Sequence, residues 1–331
     1  MIIRKKNDSI SQNKIQVVSF HQNKVSFRSD KGLRIHSFCI SDAGERTVNE
    51  DSVFTGSYGH GGCFILADGL GGHGMGDEAS ALAVDVASSS YFEKSEWNEG
   101  DVCEVFQAAQ DMLLTEHKIK NIAGGMKTTL SFLAITHDKA SIGWIGDSRV
   151  YWIHTDKAAC RKAKRFFRKN KAYGAAPLKK HRKESAVEYF YENGQLRRTS
   201  DHSIPQGQYE CGEIKEEEIR FHSKRGFLIS ALGEHWEDDV AAERATKPFE
   251  VWKMRRIKAG DAFLLCSDGF WELIDEKHMM SLLLESKSAE EWLNDMKEYV
   301  LNEASRHREK AKCDGKDWNM DNYSAIAVWI V

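Results

Sequence analysis

Two segments of this chain end alike. Cys63-Phe-Ile-Leu-Ala runs into Asp68-Gly69, and Ala262-Phe-Leu-Leu-Cys-Ser runs into Asp268-Gly269. In each, a short apolar run reads as a buried strand that delivers a carboxylate at its tip. The glycine behind it permits a tight turn or a close backbone approach. Three further segments share the design. Asp147 follows Ser141-Ile-Gly-Trp-Ile-Gly, Asp321 precedes the terminal apolar run, and Glu50 and Asp51 precede Val53-Phe54. One Asp-Gly after a strand is ordinarily only a turn. Five such placements ask for a fold that brings strand ends together.

Carboxylates that converge at one end of a sheet repel one another, and their pKa values rise unless cations neutralise them. Oxygen ligands without a Cys or His cluster select hard cations, Mg²⁺ or Mn²⁺. Two such ions can share a bridging carboxylate and a water whose pKa they lower, which is apparatus for hydrolysing a phosphate ester. Arg46, four residues before Glu50, is placed to grip phosphate through two parallel hydrogen bonds. The plainer alternative for Arg46 is a surface ion pair.

Rival chemistries fit less well. Gly69-Leu-Gly-Gly-His-Gly74 matches the dinucleotide pattern GxGxxG, but Asp68 would face the pyrophosphate. The polar 93–100 stretch also stands where the second strand of such a unit is needed. No Lys-Ser/Thr follows the glycines, so a Walker loop fails. A cysteine phosphatase needs Cys-x5-Arg, and Cys160 to Arg165 has the wrong spacing. There is no CxxC, and the seven cysteines are scattered, as expected of reduced thiols rather than a disulfide framework.

Charge separates the chain into two parts. Lys and Arg number 47 against 50 Asp and Glu, a net −3. Residues 157–183 hold 12 Lys or Arg and no acid, so removing them leaves −15 on the rest. The whole is therefore not a uniformly basic nucleic-acid binder. No apolar stretch approaches the roughly 20 residues of a membrane span. The opening Met1-Ile-Ile-Arg-Lys-Lys-Asn lacks an apolar core, so no secretory signal is expected and a cytoplasmic location is.

Strand-like runs lie at 15–20, 34–40, 63–67, 129–136, 141–145, 149–153, 226–230, 262–266 and 324–331. Helical periodicity covers 78–91, after Asp77 as N-cap, then 102–119 and 289–305. Strands cluster without regular alternation with helices. That disfavours a doubly wound parallel sheet and favours a mostly antiparallel sheet or sheet pair with helices outside.

Taken in order, several segments resemble the metal-dependent Ser/Thr protein phosphatases of the protein phosphatase 2C family in their bacterial form. They are Arg46-x-x-Asn-Glu-Asp51, Ala67-Asp-Gly-Leu-Gly-Gly-His73, Ala79-Ser80, Lys127-Thr-Thr-Leu130, Gly146-Asp-Ser-Arg-x-Tyr151, Thr199-Ser-Asp-His-Ser203, Ser230-Ala-Leu-Gly233, Gly260-Asp261, Cys266-Ser-Asp-Gly269 and Asp321-Asn-x-Ser324. The resemblance implies an α+β fold, a two-sheet, mostly antiparallel β-sandwich flanked by helix pairs. It implies two Mn or Mg ions and a third, weaker site. By motif, Asp68 would bridge the ions, Glu50 and the Gly69 carbonyl would complete one site, Asp268 and Asp321 the other, and Asp147 would serve the third. Arg46 would bind the substrate phosphate. Asp51 and Asn322 would orient waters or ligands, while Thr128, Ser148 and Ser203 would satisfy nearby backbone. Some members carry a His two residues after the bridging Asp, where this chain has Leu70; His73 is not assigned that duty.

The resemblance also implies a phosphorylated protein substrate, a cognate Ser/Thr kinase and a monomer. Residues 1–33 read as an N-terminal extension and 34–331 as the catalytic domain, with a basic insertion at about 154–190 and a flap at about 191–225. Arg161, Lys162, Lys164, Arg165 and Arg168 of the insertion are the candidates for docking an acidic or phosphorylated partner. A nucleic-acid role for them is disfavoured, because the acidic remainder would repel a polyanion. The competing functional reading is a catalytically weak regulatory or binding module on the same fold.

Overall fold

A computed structural model of the chain describes residues 22–59, 61–71, 75–121, 125–154, 179–183, 186–190, 196–234 and 248–331. The strands are β1 (Gln22–Arg28), β2 (Arg34–Asp42), β3 (Asp51–Tyr58), β4 (Gly61–Asp68), β5 (Leu130–Thr136), β6 (Lys139–Ile145), β7 (Arg149–His154), β8 (Lys179–Lys183), β9 (Ala186–Phe190), β10 (Leu196–Arg198), β11 (Glu250–Arg256), β12 (Asp261–Cys266) and β13 (Tyr323–Ile330). The helices are α1 (Gly76–Phe92), α2 (Asp101–Lys120), α3 (Ile204–Cys211), α4 (Glu216–Ile219), α5 (Asp268–Trp271), α6 (Glu276–Glu285) and α7 (Ala289–Cys313).

Among the described residues, one sheet runs β1-β2-β13-β12-β7-β10-β9-β8 and the other β11-β6-β5-β4-β3. Neighbouring strands pair antiparallel throughout. Why the apolar runs are unbroken is visible in β4. Cys63, Ile65 and Ala67 pack with Ala83, Phe106 and Leu113 of α1 and α2. Phe64 and Leu66 point the other way, into the core between the sheets. β12 does the same. Ala262, Leu264 and Cys266 meet Met279, Trp292 and Met296 of α6 and α7, while Phe263 and Leu265 join the inter-sheet core. Strands buried on both faces need apolar side chains at every position. Each large one contributes about 1.5–3 kcal/mol of burial. The layers are thus helix, sheet, sheet, helix, the sandwich that the resemblance implies.

Several expectations are corrected. The 226–230 run is not a strand; only Leu228 forms an isolated bridge, to Ser203. Helix α1 starts at Gly76, so Asp77 lies in its first turn and Met75, without a side-chain cap bond, precedes it. The dinucleotide alternative is excluded, because β5 returns antiparallel to β4 after two helices, where that unit needs a parallel neighbour. Gln22–Arg28, read as part of the extension, pairs along its whole length with β2. The 15–20 run and the docking candidates Arg161, Lys162, Lys164, Arg165 and Arg168 lie outside the described residues. No described helix is long and apolar enough to cross a membrane.

Candidate metal centre

The carboxylates sit where the apolar strands stop. Because neighbours run antiparallel, the ends of β4, β6 and β12 adjoin the starts of β3, β7 and β13, and register places Asp51 opposite Asp68. The backbone of Asp68 is held tightly. Its N–H donates to Thr129 Oγ1 at 2.9 Å, and its carbonyl accepts Thr128 Oγ1 at 2.9 Å and the Thr129 N–H at 2.8 Å. The glycines after the acids serve close approach rather than a turn. A Cβ on Gly69 would stand 2.0 Å from the Gly76 carbonyl oxygen, and one on Gly269 2.1 Å from that of Asn322. A Cβ on Gly71 would stand 2.0 Å from Glu50 Oε2, so the glycine loop closes around that carboxylate.

Asn322 ties the Arg46–Glu50 loop to the start of β13. Its side-chain oxygen accepts the Glu50 N–H, and its amide donates to the Ala43 and Val48 carbonyls, all at 2.9 Å. Arg46 Nη2 donates to Asp321 Oδ2 at 2.9 Å. Asp51 lies behind the loop, where Ser267 Oγ donates to its Oδ2 at 2.8 Å. The hydroxyl of Ser148 meets that of Thr129 at 2.9 Å, next to the Asp68 backbone.

Arg46, Glu50, Asp68, Gly69, Asp147, Asp268, Asp321 and Asn322 all line one cleft of about 320 Å³. Burial and then the neighbouring acids push Asp68 and Asp147 well above the usual carboxylate range. Burial and Asp321 raise Asp268, against the opposing charge of Arg225. Glu50 is raised by burial and Asp77, against Arg46. Asp147 is fixed from its main chain: Gly146 before it has φ +95°, and its carbonyl accepts the Trp271 indole N–H at 3.0 Å.

Reading the residues alone misses two groups here. Glu272 is raised to about 8 by burial and by Asp268, and Arg225 pairs with it. Leu228 lines the cleft beside Gly226. The signal for Glu272 is its place four residues after Asp268, one helical turn on.

The donor set suits a hard divalent cation. It consists of carboxylates and a carbonyl, with no thiolate or imidazole among the described lining residues. The buried Asp51 Oδ1 has no hydrogen-bond partner, which leaves an acceptor for a bound water or ligand proton. Among the described residues no three acid, His or Cys side chains close on one point at ligating range. The carboxylates share a cleft without forming a finished cage.

A sequence profile described as Protein phosphatase 2C matches residues 41–173. The Serine/threonine phosphatase stp of Listeria welshimeri is 27% identical over 278 residues, covering 81% of this chain and 85% of that one. Residues 41–173 thus resemble protein phosphatase 2C, and over four fifths of its length the chain is similar to a serine/threonine phosphatase. Solved structures agree on the fold. Serine/threonine phosphatase Stp1 from Staphylococcus aureus superposes with a TM-score of 0.64 at 20% identity, covering 89% of this chain and 94% of that chain. The catalytic domain of the serine threonine protein phosphatase PstP, solved in complex with 2 manganese ions, gives 0.62 at 21% identity, covering 90% and 99%. In this chain, the motif residues expected to form the site meet in one cleft, apart from Asp51, which lies behind it.

Proposed function

We propose that this chain hydrolyses phosphoserine and phosphothreonine on proteins with the help of two divalent cations, Mn²⁺ or Mg²⁺. The observation that carries this reading is the gathering of Glu50, Asp68, Asp147, Asp268 and Asp321 with Arg46 in one cleft. Similarity to the protein phosphatase 2C profile and to a serine/threonine phosphatase, and the manganese in a structural relative, support it. Asp68 would lie between the two ions, with Glu50 and the Gly69 carbonyl on one side and Asp268 and Asp321 on the other. Asp147 would hold a third, weaker ion. Bound ions would supply positive charge to the phosphate and lower the pKa of the attacking water.

The chain's own residues do the rest. Arg46 turns from Asp321 to the phosphate oxygens, for which its planar fork is suited. Asn322 holds the loop that carries Arg46 and Glu50. Leu70 lines the cleft and offers no proton, so the leaving alkoxide takes its proton from water. A Ser/Thr kinase is the reaction that supplies such a substrate. The binding-module alternative is disfavoured because no expected carboxylate is missing.

The test is turnover of p-nitrophenyl phosphate and a phosphothreonine peptide. Chelated protein should be inactive and should recover with Mn²⁺ or Mg²⁺. Folded protein that stays inactive with both ions and both esters would overturn the reading.

A further inference from the structure

Leu228 is framed in an unusual way. It bridges Ser203 antiparallel. The Phe227 carbonyl accepts the Ile204 N–H at 3.1 Å, and the Ile229 N–H donates to the His202 carbonyl at 2.9 Å. A residue framed by its neighbours' bonds turns its own N–H and C=O to the opposite edge. Among the described residues, neither of those Leu228 groups has a protein partner. Leu228 and Gly226 line the cleft that holds the carboxylates. The cleft therefore has one open backbone edge along its wall.

The side chains on either side are also unusual. Phe227 is 61% exposed and Ile229 64% exposed. Residues two apart on an extended segment share a face, opposite the residue between them. Phe227 and Ile229 thus stand exposed on one face of the segment, and contiguous exposed apolar surface is what marks interaction sites. The segment is anchored rather than loose. Phe227 N–H donates to the Lys224 carbonyl at 3.0 Å, Ser230 Oγ donates to the Pro248 carbonyl at 2.7 Å, and Arg225 pairs with Glu272.

We propose that residues 226–229 form a substrate-binding edge for an extended phosphopeptide with large apolar residues immediately before and after the phosphorylated one. The proposal rests on the phosphatase reading above. The peptide backbone pairs with the open N–H and C=O of Leu228, as extended peptides add to exposed strand edges. The peptide residue opposite Leu228 then faces the cleft, which is where the phosphate must go. Its two neighbours fall on the other face, where Phe227 and Ile229 stand. The same alternation thus sets both the position of the phosphate and the apolar preference.

The experiment uses the full chain and two phosphothreonine peptides, flanked on both sides by Leu or by Ser. Turnover with Mn²⁺ is measured beside p-nitrophenyl phosphate, and binding is measured with labelled peptides carrying a non-hydrolysable phosphonate. The wild type should prefer the Leu-flanked peptide by about tenfold in kcat/KM, chiefly through KM. The exposed Phe227→Ser, Ile229→Ser double variant should lose that preference, in turnover and in binding. Its p-nitrophenyl phosphate turnover should stay within twofold and its melting temperature should be unchanged. N-methylation of the phosphothreonine amide should weaken binding to the wild type. Equal handling of the two peptides by the wild type, or a preference that survives in the double variant, would overturn the edge. Absence of all turnover alongside a Leu preference in binding would overturn the phosphatase reading and leave the edge standing.

Discussion

Asn322 and Glu50 lie 272 residues apart, yet the Asn322 side-chain oxygen accepts the Glu50 N–H at 2.9 Å. The same carboxamide donates to Ala43 and Val48, so one side chain sets the loop that carries Arg46. Asn322→Ala removes the acceptor and both donors. It should cost about 1–3 kcal/mol in denaturant unfolding, the range for leaving buried polar groups unpaired. The Mn²⁺ concentration for half-maximal activity and the KM for p-nitrophenyl phosphate should both rise. Unchanged metal dependence would show that the strap does not set the loop.

Asp268 presents a different balance. Burial and Asp321 press its carboxyl toward the protonated form, so its charge is costly without a cation. Asp268→Asn should abolish turnover with either metal. The chelated variant at pH 8 should nevertheless melt no lower than the wild type, because a repelled charge has been removed. Full turnover in this variant would refute the ligand assignment.

The same repulsion makes stability depend on pH. Burial and the nearby acids raise Asp51 to about 7 and Glu272 to about 8. Both then hold protons in the folded chain at pH values where the unfolded chain has lost them. The folded state binds more protons, so stability falls as pH rises from the ordinary carboxylate range to about 8. Each such proton is worth about 1.4 kcal/mol per pH unit inside that window. Chelated protein should therefore unfold at lower denaturant at pH 8 than at pH 6, and Mn²⁺ should flatten the difference. A chelated chain that gains stability over that interval would contradict the assignment.

What the residues alone could reveal follows from burial. β4 and β12 are covered on both faces, so their apolar runs were legible, and so were the acids at their tips. β3 was not, because Thr55, Gly56 and Ser57 interrupt its apolar run. Gly56 is needed where the Phe54 ring closes over the backbone, since a Cβ there would stand 2.6 Å from the ring. β11 was hidden by its charged residues and by a register shift between Trp252 and Arg255. The 226–230 run reads as a strand, but among the described residues only Ser203 pairs with it. Glu272 stands one helical turn beyond Asp268, outside the cleft lining, and is away from any strand end.

Arg149 tests the support beneath the site. It is 1% exposed, and its Nε and Nη2 donate to Asp201 at 2.8 and 2.7 Å. Nη1 reaches the Tyr151 hydroxyl at 3.2 Å and Glu276 at 3.5 Å. The guanidinium stacks 3.4 Å from the centre of the Trp271 ring, and Trp271 holds the Asp147 carbonyl. Arg149→Met would keep the bulk but remove both close hydrogen bonds to the buried Asp201, leaving it Arg198 at 3.6 Å, and take one partner from Glu276. Breaking one side of a buried pair costs about 3–5 kcal/mol, so unfolding should show a loss of that size. Adding Asp201→Asn removes the under-paired buried charge and should restore part of the loss. Arg149→Lys keeps the charge without the two-pronged fit and should fall between. If Arg149→Met costs under about 1 kcal/mol, or the second substitution restores nothing, the pair is not what holds Trp271 and Asp147 in place.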